Sequence, residues 1–329
     1  MAMEELGAQA RSANLPRLAL NELSAQARSA SSVAVAAAAA AVGGPGGGAA
    51  GDVGGFAYVL SVAAVAFCGC ATVYALSKLM SPVVFGRFYS DLEYGKQVYW
   101  NLTIVALIPN VLVPLMELPD IWLLLTVQSW DANLVMTMAP TPSFLRAFGL
   151  GIGYLIFDLA GMLLCRSDLL ASRAMGKDMY HQMIGHHVVS LMIWPYAVAN
   201  HLAIGYITYL LSTEFTSVWM NLRWIHKALK QDKLANAAFV FVAVMFLLSY
   251  TVIRVIPIPW VLWLTVRFDK SKMTWYEAFV AWVTIPIPAL LNGFWYNLIL
   301  KGVVQMLRGP DKKHETEAKA TELGKREEV

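Results

Sequence analysis

The chain is poor in charge, in thiols and in paired histidines, and each shortage removes a class of function. Its three cysteines, Cys68, Cys70 and Cys165, show neither a disulfide framework nor a metal-ligand spacing. They fall within or at the ends of apolar segments and are read as buried free thiols. The six histidines contain no His-x-x-x-His pair. On a helix His181, His186 and His187 point in different directions, about 100–140° apart from one to the next, so no metal centre is expected and no cofactor is implied. Charged residues are 14% of the chain and the formal net charge is +3, which is too little and too dispersed for nucleic-acid binding.

Apolar residues, at 58%, are present far beyond what a soluble core requires. They gather into segments long enough to cross a bilayer, over residues 56–80, 100–127, 144–165, 181–198, 202–224, 235–263 and 276–303. The fold class expected is all-α: a polytopic membrane protein, a bundle of about seven transmembrane helices. Residues 1–52 are rich in alanine, glycine and serine and are read as a low-complexity, disordered tail. Residues 53–84 hold the first helix and its connection, 85–308 the main transmembrane domain, and 309–329 a charged tail.

Short loops indicate the orientation. Lys78, Arg87 and Lys96 lie in one loop, Arg166, Arg173 and Lys177 in a second, and Arg223, Lys227, Lys230 and Lys233 in a third, whereas 128–143 and 199–201 lack lysine and arginine. The positive-inside rule then puts the C-terminus in the cytosol. The basic loop with Arg267, Lys270 and Lys272 disagrees, so the sixth segment is expected to be split or re-entrant near Pro257. An endomembrane, the endoplasmic reticulum first, is the expected location, with the plasma membrane as the other choice.

Polar residues inside the spans carry the functional reading. At about 1.5 Å per residue from the cytosolic ends, His186 and His187 lie about 8–10 Å deep and Asp158 about 10–12 Å. On the same rise, Glu214 falls at about 12–15 Å, and Asn110 and Asn292 at about 13–17 Å. Each would be costly facing lipid, so they are expected to turn inward around one cavity. Only one of the adjacent histidines can face it fully, the other packing or binding Asp158, and Ser190 could orient His186. Asn110 reads as helix-packing glue, and Arg254 as a snorkelling or structurally paired cation.

Several of these residues sit in motifs that resemble the TLC family, the domain shared by translocation-associated membrane proteins and ceramide synthases. The matching elements are Trp100-Asn101, Gly153-Tyr-Leu-Ile-Phe-Asp158, His186-His187-Val-Val-Ser190, Glu214-Phe-Thr-Ser217 with Asn221-Leu-Arg-Trp224, Arg254, and Asn292-Gly-Phe-Trp-Tyr296. The chain is most similar to the branch named as TLC-domain-containing proteins. Ceramide synthases carry a His-Asp pair and a further Asp where this chain reads Leu211-Ser-Thr-Glu-Phe-Thr-Ser217.

The resemblance implies a protein that binds, senses or moves a membrane lipid, a sphingolipid or phospholipid, with Asp158, His186, His187, Glu214 and Asn292 as ligand-binding residues. The alternative is an N-acyltransferase joining acyl-CoA to a sphingoid base, with His187, His186 and Glu214 as catalytic residues. Assembly as a homo-oligomer is left open by both.

Overall fold

The computed structural model describes residues 52–308, apart from 129–130, 233–234 and 272. The low-complexity stretch and the charged tail lie outside the described residues, as do Lys233 and Lys272. All regular elements described are helices, and the protein has the expected all-α polytopic membrane architecture. Five helical stretches are long and apolar enough to span a membrane: Gly55–Phe85, Tyr94–Thr126, Pro142–Leu164, Ala237–Arg267 and Trp275–Met306. The expected fourth and fifth spans fall outside this set for a local reason. One is a helix rich in polar residues from Lys177 to Ser190, and the other is interrupted at Thr213.

The chain divides into two compact units, Met1–Phe239 and Val240–Val329. The first contains α1 (Asp52–Phe85), α2 (Arg87–Ser90), α3 (Tyr94–Leu123) with a π-helical end, α4 (Ala132–Thr137), α5 (Pro142–Leu164), α6 (Arg166–Ala171), α7 (Lys177–Ala199), α8 (Ile204–Ser212) and α9 (Glu214–Ala228). Local chemistry sets these starts: Asp131 caps α4 through its carboxylate, and Thr141 caps α5 ahead of Pro142, which needs no amide partner there.

Helix α1 buries one narrow stripe, Val59, Ala63, Ala66 and Cys70, at the helical spacing of a single face. Facing it on α5 are Gly149 and Gly153, four residues apart. A Cβ on Gly149 would lie 2.8 Å from the Val62 Cβ, and one on Gly153 would lie 2.7 Å from the Ala66 Cβ and collide with the Ala63 carbonyl. This small-residue seam lets the two backbones approach, which is how helices associate where lipid removes the hydrophobic drive. Cys68 turns away from the stripe and is exposed, correcting its reading as a buried thiol; Cys70 is buried and Cys165 half-buried.

Trp100 and Asn101 tie α1, α2 and α3 together. Ser77 donates to Asn101 Oδ1 (2.7 Å), Asn101 Nδ2 donates to the Tyr89 hydroxyl (2.9 Å), and Trp100 Nε1 donates to Ser81 Oγ (3.1 Å).

The second unit contains the remainder of α10 (Ala237–Tyr250), a π-helical turn at Thr251–Val255, α11 (Ile258–Arg267), α12 (Trp275–Thr284) and α13 (Pro286–Arg308). The sixth expected segment thus stays one helical stretch, Ala237–Arg267, whose geometry changes locally just before Pro257. A capping box between Thr274 and Glu277 starts α12.

Candidate functional site

On α7, Tyr180, His187, Ser190 and Ala197 are buried and share a helix face. His187 is 2% exposed, and its Nε2 lies 3.1 Å from Asp158 Oδ2 on α5, whose side chain is 11% exposed. The ring N–H points off that oxygen, so the contact is a close pair without an aligned hydrogen bond. His187 Nδ1 is 2.7 Å from the Met183 carbonyl. A carbonyl only accepts, so Nδ1 carries a proton, and the nitrogen left toward Asp158 is Nε2. Nδ1 is thus committed, and Nε2 is buried against Asp158.

His186 is exposed, with its ring 5.5 Å from that of His187. Ser190, expected to orient His186, lies on the His187 face instead.

Beside the pair is a small cleft between α3, α5, α7 and the α8–α9 break, with an empty volume of about 270 Å³ including its open side. Its polar walls include Asn110 on α3 and Glu214 at the start of α9, and Tyr154, Leu155, Trp194 and Leu211 are among its other lining residues. Glu214 stands in the first turn of α9 because the helix breaks at Thr213, and a helix N-terminus favours a carboxylate. Its Oε2 is 3.4 Å from the Ser217 hydroxyl, and its charge acts on both His187 and Tyr154. Asn110 Oδ1 is buried and receives no hydrogen bond from the described residues. Asn110, read from the sequence as packing glue, also lines the cleft.

Asn292 belongs to the second unit and has its partners there. Its side-chain oxygen is 3.4 Å from both the Tyr250 hydroxyl and Arg254 Nη1, and Thr251 donates to the Tyr296 hydroxyl at 3.1 Å. Arg254 also lies over the Tyr250 ring at 5.6 Å, so the structure gives it a polar and aromatic setting within the π-helical segment.

A family model described as TLC domain matches residues 115–301, which include Asp158, His186, His187, Glu214, Arg254 and Asn292. The chain belongs to the TLC domain family. A search of curated proteins finds no match. The matched stretch of this TLC-domain protein begins after Trp100 and Asn101, whose bonds tie the first helices together. Within the TLC domain, the structure brings His187 to Asp158 and sets Glu214 and Asn110 on one cleft. Among the described residues, no group of three or more histidines, cysteines or acids could hold a metal ion. The chemistry available at the cleft is acceptance of hydrogen bonds from a ligand, backed by a carboxylate.

Proposed function

We propose that this TLC-domain protein binds a membrane lipid by its headgroup at the Asn110–Glu214 cleft and so influences the lipid composition of its membrane. The supporting observation is the cleft's chemistry: a buried amide oxygen without a donor and a carboxylate, set among aromatic and aliphatic walls. Acceptors of this kind suit a headgroup bearing hydroxyl or ammonium donors. The cleft is narrow and open on one side, well below the size of a complete small-molecule pocket, so only a small polar part of a headgroup enters while the acyl chains stay in the bilayer.

The N-acyltransferase alternative needs a base with a ring nitrogen turned to the substrate. His187 does not line the cleft, its Nδ1 is held by the Met183 carbonyl and its Nε2 is buried against Asp158, which disfavours that role.

The protein purified in mild detergent is expected to retain a defined lipid class, identified by mass spectrometry. Glu214→Leu is expected to lose most of it and Glu214→Gln much less, because the amide keeps an acceptor. Retention of only the bulk membrane mixture, or equal retention by both variants, would remove the cleft from the function. Conversion of a sphingoid base and acyl-CoA to ceramide would establish the enzyme instead.

The orientation proposed follows from the basic loops. Labelling of intact endomembrane vesicles should reach Lys312 and Lys313 from the cytosolic side and a tag at Gly51 only from the other. Cytosolic access to both would rule out an odd number of spans.

A further inference from the structure

The far end of α3 carries a second polar centre, built from Glu117 and Asp120. Both are deeply buried, at 0% and 2% exposure. Three residues apart on one helix, their Cβ atoms lie about 5–6 Å apart on a common face. From α8, Thr208, also 0% exposed, turns its hydroxyl toward Glu117 without reaching hydrogen-bond geometry. The seam that brings α8 in is tight: a Cβ at Gly205 would fall 2.6 Å from the Val135 carbonyl and 3.2 Å from the Leu124 side chain.

Four oxygens at this centre receive no hydrogen bond from any described residue: Glu117 Oε1 and Oε2, Asp120 Oδ2 and Thr208 Oγ1. The other carboxylate oxygen of Asp120 is held by Thr141, whose hydroxyl donates to it at 2.5 Å while lying 2.9 Å from Ser143 Oγ. Asp120 is thereby oriented with its second oxygen left over. No lysine, arginine or histidine among the described residues forms an ion pair with either acid.

Two buried carboxylates without a positive partner are expensive. Protonating Glu117 removes its charge, yet the one hydroxyl nearby, that of Thr208, cannot satisfy both oxygens of the carboxyl, and Asp120 Oδ2 still has no donor. A cation answers all four oxygens at once. Carboxylates and a hydroxyl are hard ligands, and two negative charges balance a divalent ion.

We propose that Glu117, Asp120 and Thr208 form a binding site for a hard divalent cation, with Glu117 and Asp120 as charged ligands and Thr208 as a neutral one. From Asp158 to the start of α5, where Thr141 meets Asp120, the chain climbs about 25 Å of helix at 1.5 Å per residue. The cation site therefore lies at the opposite end of the bundle from the His187–Asp158 pair and does not depend on the lipid reading.

The test uses the full chain in lipid nanodiscs, stripped with a chelator and then given calcium chloride or magnesium chloride. One of these ions is expected to raise the thermal unfolding midpoint and to bind one ion per chain, counted by equilibrium dialysis with elemental analysis. Glu117→Gln and Asp120→Asn keep the side-chain size. Each should weaken binding by at least the about tenfold loss that follows removal of even an outer-shell partner, and Thr208→Val should weaken it less. If the acid variants do not fold, dialysis of the wild-type chain and of Thr208→Val still decides. Folded wild-type protein that takes up neither ion at millimolar concentration would overturn the proposal. So would stabilisation by sodium chloride or by low pH without any divalent effect, or divalent binding left unchanged by all the variants.

Discussion

Asp158→Leu is expected to destabilise the folded protein by about 3–5 kcal/mol, the cost of breaking one partner out of a buried ion pair. The structure makes the loss unavoidable locally. His187 Nδ1 is already spent on the Met183 carbonyl, and Nε2 faces Asp158 at 3.1 Å with the ring 2% exposed. Leucine leaves the buried Nε2 facing no polar group. Replacing both residues by leucine should recover most of the loss, since an apolar pair of similar volume is often neutral relative to a buried ion pair. A double-mutant cycle on unfolding in one detergent measures the coupling. A single-variant loss of only about 1–2 kcal/mol would instead assign the contact as a neutral hydrogen bond of the kind found between membrane helices. Strict additivity of the two substitutions would mean that the pair has no energetic reality.

Of the two seam glycines, Gly153→Leu should be the more damaging, abolishing the folded monomer in detergent. A single methyl group at this position would already meet the Ala66 Cβ at 2.7 Å and the Ala63 backbone oxygen, and backbone cannot rotate aside as a side chain can. Gly153→Ala should still cost about 1–3 kcal/mol, the usual price of overpacking a filled core. Gly69→Ala, where nothing lies within 4 Å, is the matched control and should leave the unfolding midpoint in place. Equal behaviour of the alanine variants would show that α1 and α5 do not pack through this seam.

How much of this was legible beforehand depended on whether depth or direction decided the matter. Asp158 and His187 are at similar depth on the sequence estimate, and in the structure they touch. Depth alone also grouped Asn292 with them, but its bonds to Tyr250 and Arg254 lie within the second unit, a division that hydropathy does not reveal. The break at Thr213 falls in the polar stretch Ser212-Thr-Glu214, which averaging over the long segment 202–224 absorbed into one span, and with it the reason that Glu214 stands at a helix start. Glu117 and Asp120 were passed over as part of one long span. Two acids three apart, with no lysine or arginine anywhere in residues 100–127, were the available clue. Their burial depends on Thr208 and Thr141, which come from later helices, and no local pattern carries that information.

The α1–α5 seam also constrains how the chain is made. Val62 meets Gly149, 87 residues further on, so α1 leaves the ribosome long before its partner exists. At about 5–20 residues per second, it waits about 4–17 s in the bilayer with its small-residue stripe uncovered. Valine and alanine tolerate lipid during that interval, whereas a polar residue on the same stripe would have nothing but lipid to face until α5 arrives. Substitutions that the finished protein could bury at Ala63 or Ala66, such as serine or asparagine, are therefore expected to reduce the yield of newly made protein more than the stability of protein already assembled.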